Sequence, residues 1–123
     1  MQRLIAFLAT ARPDAARGFY RDVLDLRFVE ETEFSLVFMS GETMLRIQKV
    51  AKVALGDDTS LGWEVDDLAG RLETLIARGV TPLRFDGTGQ DRLGIWTASD
   101  GTRVAWINDP DGNILSFTQF AAA

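Results

Sequence analysis

The sequence predicts an α+β fold in which one pattern, a strand, a helix and then further strands, occurs twice within a single domain spanning residues 1–123. Three observations carry this expectation. A strand-length apolar run precedes an apolar stripe of helical spacing near the N-terminus; a second pair of the same kind begins near the middle of the chain; and turn residues divide the stretch after each helix into short strand-like segments. The halves share order rather than residue identity. A half of about 60 residues makes a marginal core alone, so the two are expected edge to edge, with the sheet curling around a cavity.

The first module is expected over about 1–52. Leu4 to Ala9 is the opening strand, and Pro13 begins the helix, where its missing N–H costs little. Ala16, Phe19, Tyr20, Val23 and Leu24 give that helix one apolar face, and Asp25 ends it. Arg27 to Glu31, Ser35 to Met39 and Met44 to Val50 read as strands, with Ser40-Gly41-Glu42 as the turn before the last. A linker is expected over about 53–59 and the second module over about 60–121. There Leu61 to Val65 is a strand, Asp66 or Asp67 is a helix N-cap, and Leu68, Leu72, Leu75 and Ile76 form a narrow stripe. Gly79 and Val80 close the helix. Strands come next near Pro82 to Phe85, Gly94 to Ala98, Arg103 to Asn108 and Ile114 to Phe120, separated by the turns Ser99-Asp100-Gly101 and Asp109 to Asn113.

Composition narrows the chemistry. The net charge is -5 and no basic cluster stands out, so nucleic acid is not an expected partner. No run reaches the roughly 20 apolar residues of a membrane span, and Met1 to Ala11 reads as a first strand of a cytoplasmic protein rather than a leader. The chain has neither cysteine nor histidine. That removes thiolate and imidazole metal ligands, cysteine nucleophiles and Ser-His pairs. Gly87-Thr88-Gly89 lacks the context of a phosphate loop and reads as a surface turn. Asp109 to Asn113 fails as a calcium loop, since Ile114 and Phe120 stand where Gly and Glu are needed. Glu30, Glu31 and Glu33 read as a solvated acidic run, and Tyr20 is assigned no catalytic role.

The phrase G-F-Y-R-D-V-L-D-L-R-F-V (Gly18 to Val29) resembles the F-Y-x-x-x-L-G-L of the vicinal oxygen chelate superfamily, which includes glyoxalase I, bleomycin-resistance proteins and extradiol dioxygenases. W-E-V-D-D-L (Trp63 to Leu68) and I-N-D-P-D-G-N (Ile107 to Asn113) are similar to its second-half phrases. The resemblance covers essentially the whole chain. It implies paired βαβββ modules, a cupped and mostly antiparallel sheet with helices outside, and a homodimer. In metal-dependent members it also implies four strand positions holding His or Glu. Carried onto this chain those positions fall near Ile5, near Arg46, at Ser60 and at Ser116. None bears a carboxylate or imidazole, and a guanidinium repels a divalent cation, so neither metal nor cofactor is expected.

Strand alternation predicts what such a cup would hold. Arg46 and Gln48 face inward together, as do Ser60, Gly62 and Glu64, and Ser116 with Thr118. Ile5, Phe7 and Ala9 add an apolar wall. Trp63 faces the core. Trp96 and Trp106 either line the cavity or pack in the core or a dimer interface, and Phe34, Phe38 and Met39 carry the same two readings. Arg46 and Glu64 either pair with each other or meet a ligand's anionic and cationic groups. The expected function is metal-independent binding of a small aromatic or cationic molecule, similar to the drug-sequestering bleomycin-resistance branch. The alternative is a glyoxalase- or dioxygenase-like enzyme with a displaced metal site or with Glu64 as acid or base.

Overall fold

The computed structural model describes residues 1–122. It contains two compact units, one of residues Met1–Gly56 with Asp109–Gly112, the other of Asp57–Asn108 with the chain from Asn113 onward. None of the described helices is long and apolar enough to cross a membrane.

In the first unit, strands β1 (Ile5–Thr10), β2 (Arg27–Glu31), β3 (Ser35–Ser40) and β4 (Thr43–Lys49) form one sheet in the order β1-β4-β3-β2. β1 runs parallel to β4 and the other pairs are antiparallel. A parallel pair needs a long crossover, which the helix and the β2–β3 hairpin supply. Helix α1 (Pro13–Gly18) continues as a π-helical turn, Phe19–Val23, closed by Leu24 N–H donating to the Phe19 carbonyl at 3.0 Å. Asp25 then takes φ +63°, where the resembling phrase has glycine. Aspartate tolerates this left-handed conformation better than most residues.

One face of this sheet is the core. Leu8, Leu36, Phe38, Leu45 and Ile47 are buried there with Ala16, Tyr20 and Leu24 from the helical segment. The Tyr20 and Phe38 rings lie 5.9 Å apart, and Phe28 meets Phe38 edge-on at 5.4 Å. Phe38 is therefore a core residue and not a cavity residue. Phe34, at 71% exposed, lies outside the core, and only Met39 of that trio is on the opposite face.

Residues 109–112 complete the unit. The Tyr20 hydroxyl is buried and donates to Asp109 Oδ2 at 2.7 Å. Asp111 accepts from Thr10 Oγ1 at 2.5 Å and from the Ala11 N–H at 2.9 Å, while Arg12 donates to the Pro110 carbonyl at 2.9 Å. Burial first, and then the Asp109 carboxylate, push the Tyr20 phenol far above its ordinary pKa, so it stays a protonated donor. The turn that fails as a calcium loop is thus a hydrogen-bonded plug.

In the second unit, β5 (Thr59–Glu64), β6 (Trp96–Thr97), β7 (Arg103–Asn108) and β8 (Ile114–Gln119) form the order β5-β8-β7-β6. β5 is parallel to β8, and the rest is antiparallel. Helix α2 (Leu68–Ala77) begins where Asp67 Oδ1 accepts the Gly70 N–H at 3.0 Å, and Gln119 accepts the Leu68 N–H at 2.9 Å. It ends at Gly79, φ +94°, with the Val80 N–H reaching the Leu75 carbonyl. Leu68, Leu72 and Leu75 are fully buried with Ala105, Ile107, Leu115 and Phe117, whereas Ile76 is 40% exposed and does not belong to the stripe.

Pro82 to Phe85 is not a strand, and the one expected over Gly94 to Ala98 shrinks to Trp96–Thr97. Side chains satisfy the backbone there in place of a ladder. Gln90 accepts the Phe85 N–H at 2.7 Å and donates to the carbonyls of Leu83 and Gly94, and Asp91 accepts from Leu93 and Ile95. Gly94, at φ +87°, sits where an added Cβ would lie 2.9 Å from Pro82 Cβ, so this crossing excludes larger residues.

Candidate functional site

Each sheet has a second face, opposite its helix. On the second sheet, the register sets Trp106, Ser116 and Gly62 side by side across three strands. The adjacent row on the same face holds Trp96, Val104, Thr118 and Glu64. At about 4.8 Å per strand, Glu64 and Trp96 stand about 14 Å apart at opposite ends of that row. Phe85 meets Trp106 edge-on at 5.4 Å, adding a third exposed-side aromatic that strand reasoning did not assign to the site. Trp63 lies on the other face, stacked on Phe117 at 5.5 Å, with the Arg71 guanidinium 5.8 Å from that ring's centre, so its core role is as expected.

The floor between the aromatic edge and Glu64 is made of small residues. A Cβ built on Gly62 would lie 2.5 Å from Ser116 Oγ, so the serine hydroxyl occupies the space that glycine leaves open. A long carboxylate at position 116 would fill this trough. Glu64 is exposed at the end of its row. Ser60 departs from expectation. The β5–β8 register shifts between Thr59 and Leu61, and Ser60 falls in that irregularity without a partner opposite Ser116. A bulge breaks the two-residue alternation on which its inward direction was predicted.

On the first sheet, the face opposite α1 carries Ile5, Phe7 and Ala9 of β1 beside Met44, Arg46 and Gln48 of β4, each pair in register. Ile5 and Phe7 are 43% and 54% exposed. The Arg46 guanidinium turns along its strand toward Met44 Sδ at 3.8 Å. A separate depression of about 540 Å³ lies where Met1, Arg3 and Leu4 meet Met39, Glu42 and Thr43. Of the cavity candidates read from the sequence it includes Met39, but neither Arg46 nor any residue of the second sheet.

The loop holding Phe85 against Trp106 depends on Gln90. Gln90→Ala should leave the Leu83 and Gly94 carbonyls and the Phe85 N–H without their side-chain partner, costing about 1–2 kcal/mol. Hydrogen exchange at the Phe85 amide should accelerate well beyond that of the β7–β8 ladder; equal protection in the variant would mean the loop is held by something else.

The family model of the Glyoxalase/Bleomycin resistance protein/Dioxygenase superfamily matches residues 4–117. The chain belongs to this superfamily. Solved structures that share its fold include a bleomycin resistance determinant encoded on the transposon Tn5 (17% identity over 99% of this chain and 100% of that one, TM-score 0.73). A lactoylglutathione lyase from Agrobacterium tumefaciens is similar at 19% identity over 96% and 92% (TM-score 0.74). A glyoxalase/bleomycin resistance protein from Catenulispora acidiphila matches at 24% over 98% and 100% (TM-score 0.72). A comparison with functionally curated proteins gives no significant match. At these identities the neighbours establish the fold, and fold alone does not decide between binding and catalysis.

The superfamily's metal chemistry can be tested on the residues at its four strand positions. Ile5 offers no donor atom, Arg46 offers a permanent positive charge, Ser60 stands in a bulge, and Ser116 offers one neutral hydroxyl directed over Gly62. Among the described residues, no three carboxylates gather closely enough to hold a metal elsewhere. These residues do not fit a divalent cation, which wants several anionic oxygens.

Proposed function

We propose that this protein binds a small aromatic or cationic molecule without a metal, on the open face of the second sheet, in the manner of a sequestering protein. The observation that carries the reading is the division of that face: Trp96, Trp106 and Phe85 at one edge, a floor of Gly62, Ser116 and Thr118, and the Glu64 carboxylate at the other edge. An aromatic group stacks on the indoles, the floor leaves room for it, and a cationic group lies toward Glu64. Ser116 is small because the trough has to stay open.

Native mass spectrometry of untagged protein, purified without chelators, tests this together with a titration of benzylammonium and benzyl alcohol followed by tryptophan fluorescence. The expected result is a metal-free protein that prefers the cation, and a loss of that preference by about fivefold in Glu64→Gln, the equivalent of about 1 kcal/mol. A stoichiometric divalent metal, or turnover of a bound substrate that Glu64→Gln abolishes while binding persists, would replace the sequestering reading with an enzymatic one. The same spectrum reads assembly. We propose a homodimer, supported by exposed Phe34 and Phe120, and a purely monomeric spectrum at micromolar concentration would reject it.

A further inference from the structure

We propose that Arg46 makes the β1–β4 side of the first sheet's face opposite α1 an anion subsite, one that takes the carboxylate of a small aromatic acid; the exposed ring there is Phe7, while Val37 on the β3 side is buried. The inference goes beyond the reading of the second sheet and rests on different residues. In the strand register Arg46 stands between Phe7 on β1 and Val37 on β3, with Met44 and Gln48 its same-face neighbours along β4. Its guanidinium meets the Met44 sulfur at 3.8 Å, a weak acceptor. Within the first unit, no carboxylate among the described residues lies within ion-pair distance of it. By contrast, Arg17 and Lys49 of the same unit both reach Glu31, at 2.6 and 2.7 Å. The nearest acid on the face is Glu30, opposite Val37 and two strands away, about 10 Å by strand spacing.

A guanidinium flanked by apolar side chains and supplied only with a sulfur contact has most of its N–H donors unused, and its fork matches a carboxylate. Phe7, half-exposed on the neighbouring strand, offers the adjoining ring contact, and Gln48 offers an amide beside it. The chemistry selects an organic anion with an aromatic body.

Isothermal titration of the full chain with benzoate and with benzyl alcohol tests this. Wild type should bind benzoate more tightly than the alcohol. Arg46→Met should lose benzoate affinity by about tenfold or more while leaving the alcohol unchanged, and Arg46→Lys should fall between. Backbone chemical shifts of wild type should move at Phe7, Met44 and Arg46 on adding benzoate, a readout that does not depend on any variant folding. Unchanged benzoate binding in Arg46→Met, no benzoate binding at millimolar concentration, or shifts confined to other residues would overturn the proposal. Loss of benzylammonium binding with benzoate binding intact would count against the second-sheet reading alone.

Discussion

Asp109→Ala should lower stability by about 3 kcal/mol, a fall of about 10 °C in melting temperature for a chain of this size. Asp109 is only 6% exposed, and its carboxylate does two jobs at once: Oδ2 accepts the buried Tyr20 hydroxyl at 2.7 Å, and Oδ1 accepts the Asp111 N–H at 3.0 Å. Alanine leaves a fully buried phenol with no acceptor and loosens the turn that seats Asp111 on Thr10 and Ala11. Tyr20→Phe removes the donor instead and should cost less, about 1–2 kcal/mol. Chemical denaturation of the two variants separates these values. An Asp109→Ala loss under about 0.5 kcal/mol would show that the plug is incidental to folding.

The same pair predicts an alkaline limit. In the unfolded chain the tyrosine titrates near its ordinary value of about 10, whereas in the folded chain burial and Asp109 hold the proton to far higher pH. Above about pH 10 the unfolded state therefore carries fewer protons than the folded one, and stability falls as pH rises; below that it is unaffected by this group. Tyr20 is the only tyrosine, so its tyrosinate absorbance should appear together with unfolding and not before it. Tyr20→Phe should remove this part of the alkaline slope.

Trp106→Ala should weaken binding of an aromatic ligand about 30-fold, the equivalent of about 2 kcal/mol, if the open face of the second sheet is the site. Trp106 stands beside Ser116 in the register and supports Phe85 edge-on, so its removal deletes one aromatic wall and frees another. Trp63→Ala is the matched control. Its ring packs on Phe117 on the helix face, so it should reduce stability and leave affinity nearly unchanged. Calorimetric titration of both variants with the same aromatic cation decides the matter. Equal affinity in Trp106→Ala and wild type would remove the aromatic edge from the site.

Much of the fold was legible because its signals are local. Pro13 at the helix start, Asp67 as N-cap, Gly79 beyond the helix end and the two-residue alternation of β4, β7 and β8 all act within a few residues. Alternation alone set Arg46 with Gln48, and Ser116 with Thr118, on faces opposite the cores, as the register has them. The failures have local causes that no period reveals. The bulge at Ser60 interrupts alternation, and the hydrogen bonds of Gln90 and Asp91 replace the strand expected at Pro82 to Phe85. Phe85 was missed as a candidate for that reason: its place beside Trp106 follows from loop closure.

By itself, the sequence determined the superfamily and excluded thiolate and imidazole chemistry, because residue inventory and short phrases need no partner in space. Only the tertiary structure decided what the D-P-D-G turn is for. Tyr20 and Asp109 are 89 positions apart, and nothing in either neighbourhood marks them as partners. A buried hydroxyl must find an acceptor, but which one it finds is settled by how distant strands are brought together, and that pairing is a property of the whole fold.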